Sequence, residues 1–124
     1  MIAHAILVVE DDPDGQEVVA RMINQVNIDT EIAGTAEEAF ELLQKRQYVG
    51  AIIDLALPGA DGFQLLNAIR SDDQLKDLPC IAVTAYHTPE LKHQALTEGF
   101  DGYFAKPINR TLFLGAVEDI FSSK

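Results

Sequence analysis

The chain has 124 residues, of which 48% are hydrophobic and 23% charged, and its formal net charge is −11. The length suits one compact domain, and the composition is that of a globular protein rather than a disordered, fibrous or coiled-coil chain. The negative charge repels nucleic-acid phosphates and anionic lipids, so we expect the chain by itself to bind neither nucleic acid nor membranes.

Five segments of strand length alternate with segments of helical periodicity. The strand candidates, in chain order, are residues 5–9, 30–33, 49–54, 80–84 and 102–105. The helical candidates carry apolar residues three or four positions apart, in the sets Ala36, Ala39, Phe40 and Leu43; Leu65, Leu66 and Ile69; and Phe113, Val117, Ile120 and Phe121. Near-continuous apolar strands separated by helices predict an α/β fold with a doubly wound, five-stranded parallel sheet covered on both faces.

Local signals mark several helix ends and core positions. Thr35 and Glu38 have the spacing of a capping box, Pro89 suits the first turn of the fourth helix, and Gly99 can end that helix. Cys80, the single cysteine, stands in an apolar run and is predicted to be buried, as are Phe40, Phe63, Phe113 and Phe121. We expect one domain over residues 1–124 without an output domain. Because no apolar run is long enough to cross a bilayer and no leader begins the chain, a cytoplasmic location is expected.

Polar residues follow the carboxyl ends of four predicted strands. Glu10 and Asp11 follow the first strand, Asp54 ends the third, Thr84 ends the fourth, and Lys106 follows the fifth. In open parallel sheets these ends form the ligand-binding edge. Clustered carboxylates repel one another and need a cation, for which a hard divalent ion such as Mg²⁺ is suited. Carboxylates, a metal ion and a lysine together predict a phosphoryl-transfer site.

Within this site Asp54 is the candidate nucleophile, because a carboxylate can form an aspartyl phosphate. Lys106 would neutralise charge on the phosphoryl group, and Thr84 offers it a hydroxyl. Simpler interpretations remain open: a strand-end aspartate is often a turn former, and a lone lysine is often a solvated charge. Asp12 and Asp14 are interpreted as acids favoured at a helix N-terminus rather than as metal ligands.

Over essentially its whole length the chain resembles the receiver domains of bacterial response regulators, including the single-domain chemotaxis type. Four segments carry the resemblance: Ile6-Leu7-Val8-Val9-Glu10-Asp11-Asp12, Asp54-Leu55-Ala56-Leu57-Pro58-Gly59-Ala60-Asp61-Gly62, Val83-Thr84-Ala85 and Tyr103-Phe104-Ala105-Lys106-Pro107. The resemblance implies the strand order 2-1-3-4-5 and a role in two-component or phosphorelay signalling. The phosphoryl donor would be a histidine kinase or phosphotransfer protein, and the output would go to a downstream protein target.

The resemblance also assigns roles to individual residues. Asp11 and Asp54 would bind Mg²⁺ directly, Glu10 through water, and the Ala56 carbonyl would complete the protein ligands. Thr84 and Lys106 would contact the phosphoryl group on Asp54. Thr84 would move inward while Tyr103, otherwise a half-buried strand aromatic, changes rotamer. This change would alter the surface of the fourth helix, fifth strand and fifth helix. The Lys106-Pro107 bond is expected to be cis, a form that proline makes inexpensive.

Three other functions fit the sequence less well. A flavodoxin would hold a flavin phosphate in the loop after the first strand, but here that loop is Glu10-Asp11-Asp12-Pro13-Asp14, which repels phosphate. A phosphatase of the haloacid dehalogenase type requires a second acid two residues after its nucleophile, where this chain has Ala56. A receiver-shaped binding module that signals without phosphorylation would usually have a damaged site. We therefore predict a signalling receiver rather than an enzyme with a separate substrate.

Overall fold

The computed structural model describes residues 5–57 and 61–121. Pro58, Gly59 and Ala60 of the predicted acceptor loop lie outside the described residues. Strands and helices alternate along the described chain in the order β1 (Ala5–Val9), α1 (Pro13–Asn24), β2 (Asp29–Ala33), α2 (Ala36–Lys45), β3 (Gly50–Asp54), α3 (Gly62–Ser71), β4 (Cys80–Thr84), α4 (Pro89–Glu98), β5 (Gly102–Ala105) and α5 (Arg110–Phe121).

The five strands form one parallel sheet in the order β2-β1-β3-β4-β5. This confirms the predicted α/β class, the doubly wound sheet and the strand order. Helices cover both faces because alternate strand residues point to opposite sides. On one face Ile6, Val8 and Ile52 pack with residues of α1 and α5. On the other face Leu7, Val9, Ile53 and Ala82 pack with residues of α2, α3 and α4.

The helix caps follow the local sequence, with one correction. Thr35 caps α2 by accepting the backbone N–H of Glu38, at 3.0 Å. The Glu38 carboxylate accepts the backbone N–H of Gly34 rather than that of Thr35, so the predicted capping box is only half formed. The reciprocal pair occurs instead at α3, between Asp61 and Gln64.

The predicted ends of α4 are confirmed. Thr88 caps the helix and Pro89 occupies its first turn. Gly99 follows the last turn with a φ of 122°, a conformation that glycine adopts without the steric cost that a Cβ would bring.

Small differences from the sequence prediction concern strand ends and aromatic burial. β2 begins at Asp29 and β3 at Gly50, one residue away from the predicted starts in each case. Phe113 and Phe121 are buried as expected, but Phe40 and Phe63 are only partly buried and pack against the edge of the core. Both lie on helices near the protein surface, where one side of a large ring stays in contact with solvent. Cys80 is fully buried.

The strand order brings two acidic strand ends together. β1 lies between β2 and β3, so the residues that follow β1 are adjacent to Asp54 at the end of β3. β4 lies on the other side of β3, with Val83 paired to Asp54. This carboxyl edge is therefore where the predicted site residues can meet. None of the helices in the described part of the chain combines the length and hydrophobicity needed to span a bilayer.

Candidate functional site

Glu10 is a buried carboxylate, with only 2% of its surface exposed. It directly follows β1, and its backbone N–H donates to the carbonyl of Ala33 at 3.0 Å, which extends the pairing with β2 by one residue. Its Oε2 accepts the backbone N–H of Asp12 at 3.2 Å. Gly15 in α1 leaves room for this side chain, because a Cβ there would lie 2.7 Å from Oε1 of Glu10. The start of α1 is thus shaped around the Glu10 carboxylate.

Asp54 is the last residue of β3 and is 5% exposed. Its Oδ1 accepts the backbone N–H of Ala56 at 2.9 Å, and its Oδ2 accepts a hydrogen bond from Lys106 Nζ at 3.0 Å. Gly62 allows α3 to begin directly against this strand end, since a Cβ at Gly62 would lie 2.7 Å from the Asp54 carbonyl oxygen. Both carboxylate oxygens of Asp54 therefore have a protein donor.

Lys106 reaches back from the end of β5 to the two acids. Its backbone N–H donates to the Thr84 carbonyl at 2.8 Å, which fixes the chain beside β4. Its Nζ lies 2.6 Å from Oε1 of Glu10 and 3.0 Å from Oδ2 of Asp54. Burial alone would lower the pKa of Lys106, but hydrogen bonds to Glu10 and Asp54 outweigh it and raise the pKa. The amine therefore keeps its positive charge between two carboxylates.

Lys106 does not fully offset the burial of the Glu10 carboxylate. Burial raises the pKa of Glu10, the hydrogen bond from Lys106 lowers it, and neighbouring Asp54 raises it, with a net rise. The free-energy cost of removing the ionised Glu10 carboxylate from water therefore exceeds the stabilisation that Lys106 provides. A second positive charge at this edge would favour the ionised form of Glu10.

Asp11 completes an acidic cluster with these residues. It is exposed, and the carboxylate oxygens of Glu10, Asp11 and Asp54 that could serve as ligands all lie within 4.8 Å of one another. The donor set consists only of oxygen atoms and carries more negative charge than Lys106 can balance, which fits a hard divalent cation. Asp12 and Asp14 have the structural role that was predicted: Asp12 caps α1 and Asp14 lies in its first turn.

The other predicted residues lie around this cluster, and of these Ala56 is hydrogen-bonded to it. Thr84 is buried, and its hydroxyl accepts the backbone N–H of Tyr86 at 3.0 Å. The Tyr103 hydroxyl lies 2.9 Å from Nδ1 of His87, in the loop after β4. Ala56 is exposed and its N–H is bound to Asp54. The Lys106–Pro107 peptide bond is cis.

Sequence reasoning did not anticipate the supporting residues Gly15, Gly62 and His87. At Gly62 a helix begins against the backbone of a strand end, and at Gly15 a helix passes close to the Glu10 side chain; both approaches depend on tertiary structure. His87 gives no sequence signal of its contact, because no spacing rule connects it with Tyr103, sixteen positions away.

Comparison with known proteins points to one family. The family described as "Response regulator receiver domain" matches residues 6–118. The heme response regulator HssR of Staphylococcus aureus is 36% identical over 101 residues, which are 82% of this chain and 44% of that protein. This chain thus spans less than half the length of that relative.

Solved structures give the same fold. The chemotaxis protein CheY4 of Vibrio cholerae superposes with a TM-score of 0.86 at 26% identity, covering 97% of this chain and 99% of the other. The receiver domain of a sensor histidine kinase from Pseudomonas aeruginosa gives a TM-score of 0.88 at 26% identity, covering 98% and 99% of the two chains. That structure has a magnesium ion coordinated in the active-site cleft.

Proposed function

This chain belongs to the response regulator receiver domain family, and from that premise we propose that it receives a phosphoryl group on Asp54. The donor is a phosphohistidine on a histidine kinase or phosphotransfer protein, the reaction requires Mg²⁺, and the product signals to a downstream protein in the cytoplasm. The chain acts as a signalling receiver and turns over no separate substrate.

One observation carries the proposal: Lys106 Nζ lies between Glu10 Oε1 and Asp54 Oδ2, at 2.6 and 3.0 Å, with the Asp11 carboxylate beside them. A nearly buried aspartate at a strand end, hydrogen-bonded to a lysine, supports a role as nucleophile. The other strand-end acids supply the charge that a divalent cation would need. No other group of three or more acidic, histidine or cysteine ligands was found among the residues that the structure describes.

Asp11 and Asp54 would hold the metal ion directly, Glu10 through water, and the carbonyl of Ala56 would be the remaining protein ligand. When bound, the ion would supply positive charge to the acids and to the oxygens of the incoming phosphoryl group. The fit rests on the oxygen-only donor set and on the spacing within the cluster.

The chain's own residues prepare the transfer by orienting Asp54. The N–H of Ala56 is a backbone donor and holds Oδ1, whereas Oδ2 is held by the flexible side chain of Lys106. We therefore assign the attack to Oδ2. Its lone pair forms the new bond to phosphorus while the bond between phosphorus and the donor histidine nitrogen breaks. That nitrogen keeps the electron pair, and the positive Lys106 balances the charge on the phosphoryl oxygens.

The output would pass through Thr84 and Tyr103 to the surface of α4, β5 and α5. Thr84 follows Val83, the residue paired with Asp54, so a short movement of its hydroxyl would reach a phosphoryl oxygen. Its backbone carbonyl is bound to the N–H of Lys106, which links the two phosphoryl-binding residues. Tyr103 would then change rotamer and alter the partner surface.

The test is to incubate the chain with acetyl phosphate, with and without Mg²⁺, and to locate the added phosphate by mass spectrometry. Labelling should occur on Asp54 only when Mg²⁺ is present. Asp54→Asn should abolish the labelling. Asp72→Asn, a change at an acid outside the cluster at the strand ends, should be labelled to the same extent as the wild type. Full, rapid labelling of Asp54→Asn would contradict the assignment of the nucleophile.

A further inference from the structure

The hydroxyl of Tyr103 has a specific partner in the loop between β4 and α4. It lies 2.9 Å from Nδ1 of His87, and the two rings are in contact, with centroids 5.5 Å apart and planes inclined by 53°. A phenol hydroxyl can donate or accept, and each tautomer of histidine offers either a donor or an acceptor at Nδ1. This hydrogen bond can therefore form with either neutral tautomer of His87.

Tyr103 and Thr84 lie on the same face of the sheet. Tyr103 is paired with Ala82, which is two residues before Thr84 on β4, and residues two apart on a strand share a face. The Tyr103 ring is partly buried and, like Leu91, packs against the core cluster that contains Ala95 of α4. The ring thus lies on the face of the sheet that α4 covers, while its hydroxyl reaches the exposed loop that leads into α4.

Two hydrogen bonds join the loop of residues 85–88 to strands β4 and β5. Near its start, the N–H of Tyr86 donates to the Thr84 hydroxyl at 3.0 Å. One residue later, His87 holds Tyr103. If the Thr84 hydroxyl moves towards Asp54, the N–H of Tyr86 must follow it or lose its acceptor. The first outcome displaces the loop that carries His87, and the second removes one of the hydrogen bonds that hold this loop.

We infer that His87 is a positioning residue that holds the Tyr103 hydroxyl at the β4–α4 loop in the unphosphorylated protein, so that the switch must break this hydrogen bond. The inference rests on the proposed function, in which Thr84 and Tyr103 move together. His87 then favours the resting state, and its loss makes the phosphorylated conformation easier to reach. The net stabilisation from one hydrogen bond corresponds to a shift of about two- to tenfold in that equilibrium.

The experiment measures the affinity for beryllofluoride, a phosphoryl mimic, at saturating Mg²⁺ by titration calorimetry. His87→Ala should bind it about two- to tenfold more tightly than the wild type. His87→Gln, whose amide can still bond to the hydroxyl, should bind like the wild type. In a Tyr103→Phe background, which lacks the hydroxyl, adding His87→Ala should change nothing. His93→Ala, a change at an exposed histidine on α4, is the matched control and should leave the affinity unchanged.

A second measurement needs no phosphoryl mimic. In the free His87→Ala protein, the Tyr103 ring resonances should shift towards those of beryllofluoride-bound wild type, while resonances of Tyr48 stay in place. An unchanged affinity for His87→Ala, or a gain that persists in the Tyr103→Phe background, would overturn the role of His87. Failure of the wild type itself to bind beryllofluoride with Mg²⁺ would contradict the proposed function, and the inference that rests on it would be wrong as well.

Discussion

Replacing Lys106 with methionine isolates the charge at the centre of the site. Methionine keeps much of the apolar stem but leaves Glu10 and Asp54 without their shared cation. At an effective dielectric constant of about 20, each contact is worth on the order of 5 kcal/mol before desolvation is subtracted. Breaking a fully buried pair costs about 3–5 kcal/mol. Because the Lys106 side chain is 25% exposed, we expect a smaller loss in the free energy of unfolding, about 2–3 kcal/mol near pH 7.

The loss should depend on pH in a direction fixed by Glu10. Its pKa in the folded protein is raised above the ordinary value of 4.5, so the folded state binds this proton more tightly than the unfolded state. Stability linked to Glu10 therefore falls as pH rises from the unfolded pKa through the folded one. Without Lys106 this pKa should rise further. The cost of Lys106→Met should then be smaller at pH 5 than at pH 7, because a larger fraction of Glu10 is protonated at the lower pH and a protonated carboxyl needs no counter-ion.

Urea unfolding of the wild type and of Lys106→Met at both pH values, with and without Mg²⁺, measures these effects. Millimolar Mg²⁺ should stabilise the variant more than the wild type, because in the variant no lysine ammonium competes with the ion for the three carboxylates. Lys92→Met, a change at an exposed lysine on α4, should cost little under every condition. The electrostatic reasoning is refuted if Lys106→Met loses the same free energy at both pH values and gains nothing from Mg²⁺.

Two further predictions concern packing around the site and in the core. In the urea assay, Gly62→Ala should lower the free energy of unfolding by about 1–3 kcal/mol, since its Cβ would lie 2.7 Å from the backbone oxygen of Asp54. Gly115→Ala should instead raise the free energy of unfolding by about 0.5–1 kcal/mol, because a Cβ at Gly115 meets nothing within 4 Å. Cys80 is fully buried, and burial raises its pKa to about 12. Iodoacetamide should therefore modify Cys80 only when the protein is unfolded in urea. Modification of the native protein at the rate of a free thiol would contradict this burial.

The fold could be predicted from the sequence because its strands are nearly continuous apolar runs. β1, β4 and β5 have the predicted bounds, and β1 and β4 are buried at every position. The sequence signal for β2 is weaker, because an edge strand pairs with only one neighbouring strand and its residues are less buried; Asp29 at its start is exposed. The details that differed depend on tertiary contacts. Glu38 accepts the backbone N–H of Gly34, one residue before the predicted donor Thr35, and the spacing of a capping box does not decide between these neighbouring N–H groups.

The candidate site was predictable to the extent that it depends on strand ends. Glu10, Asp11 and Asp54 could be placed at one edge once the strands were identified, and they do form a cluster. The direction in which Lys106 points could not be derived from periodicity, because the chain after β5 could turn either way. His87 illustrates the remaining limit: its contact with Tyr103 depends on the path of the loop after β4.

The position of Lys106 lets one residue stabilise the resting site and, in the proposed reaction, also assist the phosphoryl transfer. A lysine ammonium has three N–H donors, and the described contacts use it towards Glu10 Oε1 and Asp54 Oδ2. A donor therefore remains for a phosphoryl oxygen without loss of the contact to Glu10. In the proposed reaction, phosphorylated Oδ2 would no longer carry a full negative charge, so its attraction for the ammonium would weaken while that of the phosphoryl oxygens would grow. Lys106 would then be drawn from Asp54 towards the phosphoryl group. Because its backbone N–H is bound to the Thr84 carbonyl, the same change in charge would reach the strand end where Thr84 lies.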